Sequence, residues 1–161
     1  MENMKSSTRR YLRICFWLYM VVLFYFVFFS ERYGRTISSS EYRYNLEFFK
    51  EIRRFIHYRN VVGMESFVVN ILGNIFAFTP LGFFLPMISK NKRGIVNVTL
   101  LCFEVSMFIE LVQLIYKIGA YDVDDLVMNT LGGLLGYLIY LIVYKINKRR
   151  IEKYAIPKKE R

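Results

Sequence analysis

Four apolar stretches dominate the chain, and each is long enough to cross a membrane. They cover residues 11–29, 67–88, 95–116 and 126–144. A helix needs about 20 mostly apolar residues to cross the hydrocarbon core of a bilayer. The pattern therefore predicts an all-α integral membrane protein with four transmembrane helices, folded as a single domain over residues 1–161.

The first apolar stretch begins after basic residues, as a signal peptide does. Its core is long and bulky, however, and the sequence FFSER that ends it lacks the small residues of a cleavage site. We expect a retained transmembrane helix.

Basic residues predict the orientation. They flank the spans at Arg9, Arg10 and Arg13, at Lys90, Lys92 and Arg93, and at Lys145, Lys148, Arg149 and Arg150. The short loop between the third and fourth spans instead holds Lys117 and three aspartates. By the positive-inside rule both termini are cytoplasmic in the plasma membrane, residues 145–161 form a basic cytoplasmic tail, and loop 30–66 is external.

The external loop contains an amphipathic pattern at residues 44–60. Its apolar side chains recur at helical spacing, with basic residues elsewhere around the helix: Phe48, Phe49, Ile52, Phe55 and Ile56 against Lys50, Arg53 and Arg54. This predicts a helix that lies on the outer membrane surface or packs on the transmembrane bundle.

Composition excludes several classes of protein. The net charge is +10, but 55% of residues are hydrophobic and the basic residues sit at segment ends, so nucleic-acid binding is not expected. Cys15 and Cys102 lie inside apolar stretches, which predicts small packing residues rather than a disulfide. The chain shows no Cys/His cluster, so we expect no metal site and no cofactor.

Polar residues recur near the outer ends of three spans. They are Asn70 and Asn74, Glu110 and Gln113, and Asp125 and Asn129. At 1.5 Å per residue Asn70, Asn74, Glu110, Gln113 and Asn129 lie about 5–10 Å below the outer boundary. Because such groups usually face a bundle interior or a wet cavity, we predict a polar pocket open to the outside. Hydrogen bonding between helices is the alternative.

Other positions carry separate expectations. Glu104 is deeper than Glu110 and about 240° away around the helix, so it faces another neighbour or stays protonated. Asp122 is placed to cap the fourth helix, and we expect Asp124 to be solvated. The glycine stripe Gly132, Gly133 and Gly136 predicts packing within the monomer rather than a dimer seam. Pro80 and Pro86 predict a kinked or broken second span.

These motifs together resemble the VanZ family of bacterial membrane proteins over most of residues 45–137. The resemblance is carried by NILGNIFAFTPLGFFLP and IELVQLIYKIGAYDVDDLVMNTLGGLLG. Matched positions are Asn70, Asn74, Pro80, Gly82, Glu110, Gln113, Asp122, Asp125, Asn129, Gly132, Gly133 and Gly136. Two positions depart from the family pattern, with Phe48 where proline is usual and Ala120 where many members have arginine.

The resemblance implies low-level resistance to teicoplanin, a lipid-tailed glycopeptide. One hypothesis is a non-enzymatic binder of membrane lipid, teicoplanin or a lipid-linked cell-wall precursor. The alternative is an intramembrane enzyme acting on such a precursor, with Glu110 and Asp125 as acid and base. A third is an assembly factor that recruits wall enzymes. A homo-oligomer is compatible with each.

Overall fold

Four long helices make up most of the computed structural model, which describes residues 6–29, 41–50, 52–54, 57, 64–89 and 94–155. They are α1 (Ser6–Phe29), α2 (Met64–Ile88), α3 (Ile95–Ile115) and α4 (Val123–Ala155). Each contains a stretch long and apolar enough to cross a membrane. The prediction of an all-α membrane protein with four spanning helices is confirmed.

The helix ends differ from the predicted spans mainly at α4. This helix has 33 residues, about 50 Å at 1.5 Å per residue, which exceeds the roughly 30 Å hydrocarbon core. The basic segment that follows the predicted span is therefore a continuation of α4 as far as Ala155 rather than a separate irregular tail.

The glycine stripe lies where α2 packs against α4. The contacts join Gly82 to Gly133, Gly132 to the backbone carbonyl of Ile75, and Gly136 to that of Thr79. A Cβ added at Gly136 would lie 1.9 Å from the Thr79 oxygen, so only glycine allows the backbones to come this close. The prediction that the stripe packs within the monomer is confirmed.

Helix α2 continues without interruption through Pro80 and Pro86, so the expected break is not present. Each proline lacks the amide hydrogen that would bond the carbonyl four residues earlier. Helix α2 remains intact despite these two lost hydrogen bonds. A kink in α2 stays a prediction.

The core lies between all four helices, with Tyr137 of α4 among its buried members, and includes one thiol. Phe16, Leu23, Phe78 and Ile109 are buried there with Cys102. Both cysteines are free thiols, but Cys15 is exposed, so the predicted packing role is wrong for Cys15. Burial of Cys102 in the core agrees with its predicted role as a small packing residue.

A two-stranded parallel sheet joins the external loop to the turn before α4, and the sequence pattern did not predict it. Strand β1 (Arg43–Asn45) pairs with β2 (Ala120–Asp122), with Asn45 opposite Asp122. The predicted amphipathic helix over residues 44–60 is thus wrong at its start, because Tyr44 and Asn45 are in a strand.

Within the described part of the external loop, the helical residues follow a turn that comes directly after β1. Phe49 has φ 61°, in the left-handed region, and Lys50 and residues 52–54 and 57 are helical. Phe55, Ile56 and residues 58–60 lie outside the described part of the chain. Placement of this helix on the membrane surface therefore stays a prediction.

Candidate functional site

One end of the bundle collects the polar side chains. Asn74 of α2 donates from its side-chain amide to a carboxylate oxygen of Asp125 in α4. Gln113 of α3 donates from Nε2 to the backbone carbonyl oxygen of Val27 in α1, at 3.0 Å. The ends of α1 and α3 therefore meet the starts of α2 and α4.

Asp122 caps α4, as predicted. Its Oδ1 accepts a hydrogen bond from the backbone N–H of Asp124 at 2.9 Å. The same oxygen accepts one from Nδ2 of Asn45 at 3.0 Å. One carboxyl group thus satisfies an unpaired amide of the helix start and also fixes strand β1.

We expected Asp124 to be solvated. This prediction is wrong, because the residue is only 3% exposed. Its carboxylate accepts a hydrogen bond from the backbone N–H of Phe49. Residues 42–50, which we call the β1 segment, return over the start of α4 and cover Asp124. Sequence spacing does not reveal this burial, since Phe49 is 75 residues away.

Burial raises the pKa of the Asp122 carboxyl above its ordinary value of 3.8. The hydrogen bonds from Asp124 and Asn45 act in the opposite direction because they favour the charged form. The neighbouring Asp124 charge raises the pKa further, whereas Lys50 lowers it. Desolvation is the largest of these effects, so the folded protein holds this proton more tightly than the unfolded chain.

Glu110 is 2% exposed and joins α3 to the start of α4. Its Oε2 accepts a hydrogen bond from the backbone N–H of Asp122 at 3.0 Å. The unpaired amides of a helix start attract negative charge, and α4 has Asp124 and Asp125 in its first turn. The helix start therefore stabilises several carboxylates in a small volume.

Asn129 lies one turn deeper and is 5% exposed. Its Nδ2 donates to Oγ of Ser106 in α3 at 2.9 Å. Its Oδ1 is buried and has no hydrogen-bond partner among the described residues. Ser106 was not among the predicted site residues, although it lies four residues before Glu110 and hence on the same helix face.

The predicted site residues thus divide into three groups. Asn74, Asp125, Glu110 and Asn129 contact partners across helix boundaries at this end of the bundle, and Gln113 bonds to α1. The side chain of Asn70 lies outside the described part of the chain. Glu104 is exposed, unlike the buried Glu110, and therefore faces away from this group.

These contacts are the hydrogen bonds between helices that the sequence analysis gave as the alternative to a pocket. A polar pocket open to the outside stays a prediction. No group of three or more His, Cys, Asp or Glu side chains able to hold a metal ion occurs within the described ranges.

The β1 segment is a part of this region that the predicted site did not include. Most of its large side chains are exposed, among them Tyr42, Tyr44, Leu46 and Phe48. Asn45 is its buried member and holds the segment in place through Asp122. The chain therefore carries an apolar surface directly beside the polar end of the bundle.

Comparison with known proteins agrees with the family resemblance that the sequence motifs indicate. Protein VanZ from Enterococcus faecium is 26% identical over 140 residues, which are 86% of this chain and 80% of that protein. No solved structure matches the chain. The family model described as VanZ/LLP1 matches residues 16–144, and this chain therefore belongs to the VanZ/LLP1 family.

Proposed function

We propose that this membrane protein confers low-level resistance to teicoplanin by binding a lipid-tailed or lipid-linked molecule at the outer leaflet. The bound molecule is the antibiotic or a lipid-linked cell-wall precursor. Membership of the VanZ/LLP1 family supports the link to the antibiotic. The observation that carries the binding role is the exposed apolar β1 segment, which is hydrogen-bonded over a polar bundle end.

The orientation that we propose rests on the short segments that flank the spans, which the positive-inside rule weighs more than a long loop. The polar end carries Asp122, Asp124 and Asp125 near the start of α4. The opposite end carries basic residues at the start of α1 and along the last turns of α4. With the basic end in the cytoplasm, the polar end and the β1 segment face the cell exterior.

An amphiphile requires both kinds of surface that this end offers. Aromatic side chains such as Tyr44 and Phe48 are suited to the membrane interface, where an acyl tail enters the bilayer. Asp125, which is partly exposed, supplies hydrogen-bond acceptors for a polar head.

Binding is tested with the full chain in lipid nanodiscs and fluorescently labelled teicoplanin. We expect saturable binding, and weaker binding of a glycopeptide that lacks the lipid tail. Phe48→Ala should weaken teicoplanin binding several-fold, whereas Phe76→Ala, at an exposed position on α2, should leave it unchanged. Absence of saturable binding to teicoplanin and to a lipid-linked precursor would refute the binding role.

The carboxyl groups are tested by Glu110→Gln and Asp125→Asn. The new amide oxygen at position 110 still accepts the hydrogen bond from the Asp122 backbone N–H, and the one at position 125 still accepts the bond from Asn74. We therefore expect each variant to keep the fold and lose only the negative charge. Full resistance in a susceptible host with both changes would exclude acid–base catalysis by these groups. If mass spectrometry finds a chemically modified precursor with the original protein but not with the two variants, catalysis would be established instead.

A further inference from the structure

The second half of α4 carries an apolar surface that turns basic towards the end of the helix. Helix α4 is continuous from Val123 to Ala155. Large apolar side chains are exposed along its second half: Leu135, Leu138, Ile139, Ile142 and Ile146. The last four follow the first by three, four, seven and eleven residues, which is the spacing of one helix face. We call these five side chains the α4 stripe.

Two arginines end the α4 stripe. Arg149 and Arg150 follow Ile146 by three and four residues, so they lie on the same side of the helix. Both are exposed, and neither forms a hydrogen bond or ion pair with another described residue. Lys148 differs, because it lies about 200° around the helix from Ile146 and pairs with Glu152 at 3.8 Å.

The two arginines are placed at the depth of the lipid headgroups. The apolar sequence of the fourth span ends at Tyr144, and Arg149 and Arg150 lie about 7–9 Å further along the helix at 1.5 Å per residue. The headgroup layer is about 5–8 Å thick on each side of the hydrocarbon core. The α4 stripe is therefore at the depth of the acyl chains, and the arginine side chains reach the phosphate groups.

Charge decides which molecule covers the α4 stripe. Beyond its first turn α4 has a single acidic residue, Glu152, which is paired with Lys148. A second copy in the same orientation would bring its own Arg149 and Arg150 against this pair, and like charges repel. A phospholipid with a net negative charge matches both parts of the surface. Guanidinium groups form strong charge-assisted hydrogen bonds with phosphate.

We propose that the α4 stripe, with Arg149 and Arg150, is a binding site for an anionic phospholipid. The acyl chains lie along the stripe, and the phosphate accepts hydrogen bonds from the two guanidinium groups. A zwitterionic phospholipid binds less tightly, because its own ammonium group offsets the charge of its phosphate. The proposal is independent of the proposed function, since it concerns the end of the bundle opposite the β1 segment.

The test measures which lipid contacts the α4 stripe. Trp17 is the only tryptophan of the chain, so Trp17→Phe combined with Ile142→Trp places one fluorophore on the stripe. The full chain is reconstituted in phosphatidylcholine with a minor fraction of phosphatidylglycerol whose brominated acyl chains quench nearby tryptophan. Brominated phosphatidylcholine at the same fraction gives the quenching expected for random mixing. We expect a preference for the anionic lipid of about fivefold or more, the contribution of one basic residue near a membrane surface.

Two variants with equal loss of charge locate the site. Arg149→Gln with Arg150→Gln should remove the preference, whereas Arg149→Lys with Arg150→Lys should keep most of it. Arg9→Gln with Arg10→Gln removes the same charge from the start of α1 and should leave the preference unchanged. Both leaflets have the same composition, so the orientation of the reconstituted chain does not affect the result.

Three outcomes would overturn the proposal. Random mixing around the tryptophan at position 142 would show that the stripe does not select anionic lipid. A preference that survives Arg149→Gln with Arg150→Gln would show that these arginines do not hold the phosphate. An equal loss in the α1 and α4 variants would show that the preference comes from the diffuse charge of this end rather than from a site on α4.

Discussion

Gly82→Ala tests the close approach of α2 and α4 that holds the polar end together. A Cβ at this position would lie 1.8 Å from the backbone oxygen of Gly133 and 2.6 Å from its carbonyl carbon. The obstacle is backbone, so no side-chain rotation relieves the overlap. Gly94→Ala is the matched control, because nothing lies within 4 Å of a Cβ there.

The cost follows from the distance that the helices must separate. An ordinary C···O contact is about 3.3 Å or longer, so α2 must move away from α4 by about 1.5 Å. Overpacking of this kind costs about 1–3 kcal/mol. In a chain of this size, that corresponds to a melting temperature lower by about 3–10 °C.

The Cys102 thiol provides the assay, because it is fully buried and packs beside Gly133. In a Cys15→Ser background, a thiol-reactive fluorophore reports unfolding as Cys102 becomes accessible on heating. Gly82→Ala should react at a lower temperature than Gly94→Ala in the same nanodiscs. Melting of both variants within about one degree of each other would refute backbone contact between α2 and α4 as the reason for the glycines.

The remaining predictions use the same melting assay, except the last. Ser106→Ala should cost about 1 kcal/mol by leaving the buried Asn129 amide unpaired, whereas the double variant with Asn129→Leu should melt close to the unmodified protein. If the double variant is as unstable as Ser106→Ala, the hydrogen bond is not the cause. Because burial raises the pKa of Asp122, the folded state keeps its proton to higher pH than the unfolded state. Stability should therefore fall as pH rises from about 3.8 through the raised pKa, and Asp122→Asn, which preserves the cap, should abolish that decline. An unchanged pH profile in Asp122→Asn would contradict this. In whole cells, Tyr44→Cys should react with a membrane-impermeant maleimide and Lys148→Cys should not; the reverse result would invert the orientation.

The glycine stripe was predictable because its packing depends on a local property. Gly132, Gly133 and Gly136 lie on one helix face by spacing alone, and an apolar helix with such a face packs closely against another helix. The partner was not predictable at this level. Contact with Ile75 and Thr79 depends on how α2 is positioned along α4, which the whole bundle determines.

The polar residues illustrate the same division. Glu110 and Gln113 were predictable as inward-facing, since polar groups in a membrane helix turn away from lipid. Their partners were not, because each partner lies far away in sequence or is a backbone group. Gln113 bonds to Val27, which is 86 residues away, and Glu110 accepts a hydrogen bond from the backbone amide of Asp122.

The sequence by itself determined the four spanning helices, because the length of an apolar stretch is a local quantity that the bilayer thickness fixes. It also determined the capping role of Asp122, which needs only the residue and the helix start beside it. Only the tertiary structure decided that Asp124 is buried and that the β1 segment lies over α4. The pairing of Asn45 with Asp122 joins residues 77 apart, and contacts at that separation depend on the path of the folded chain, which no local pattern encodes.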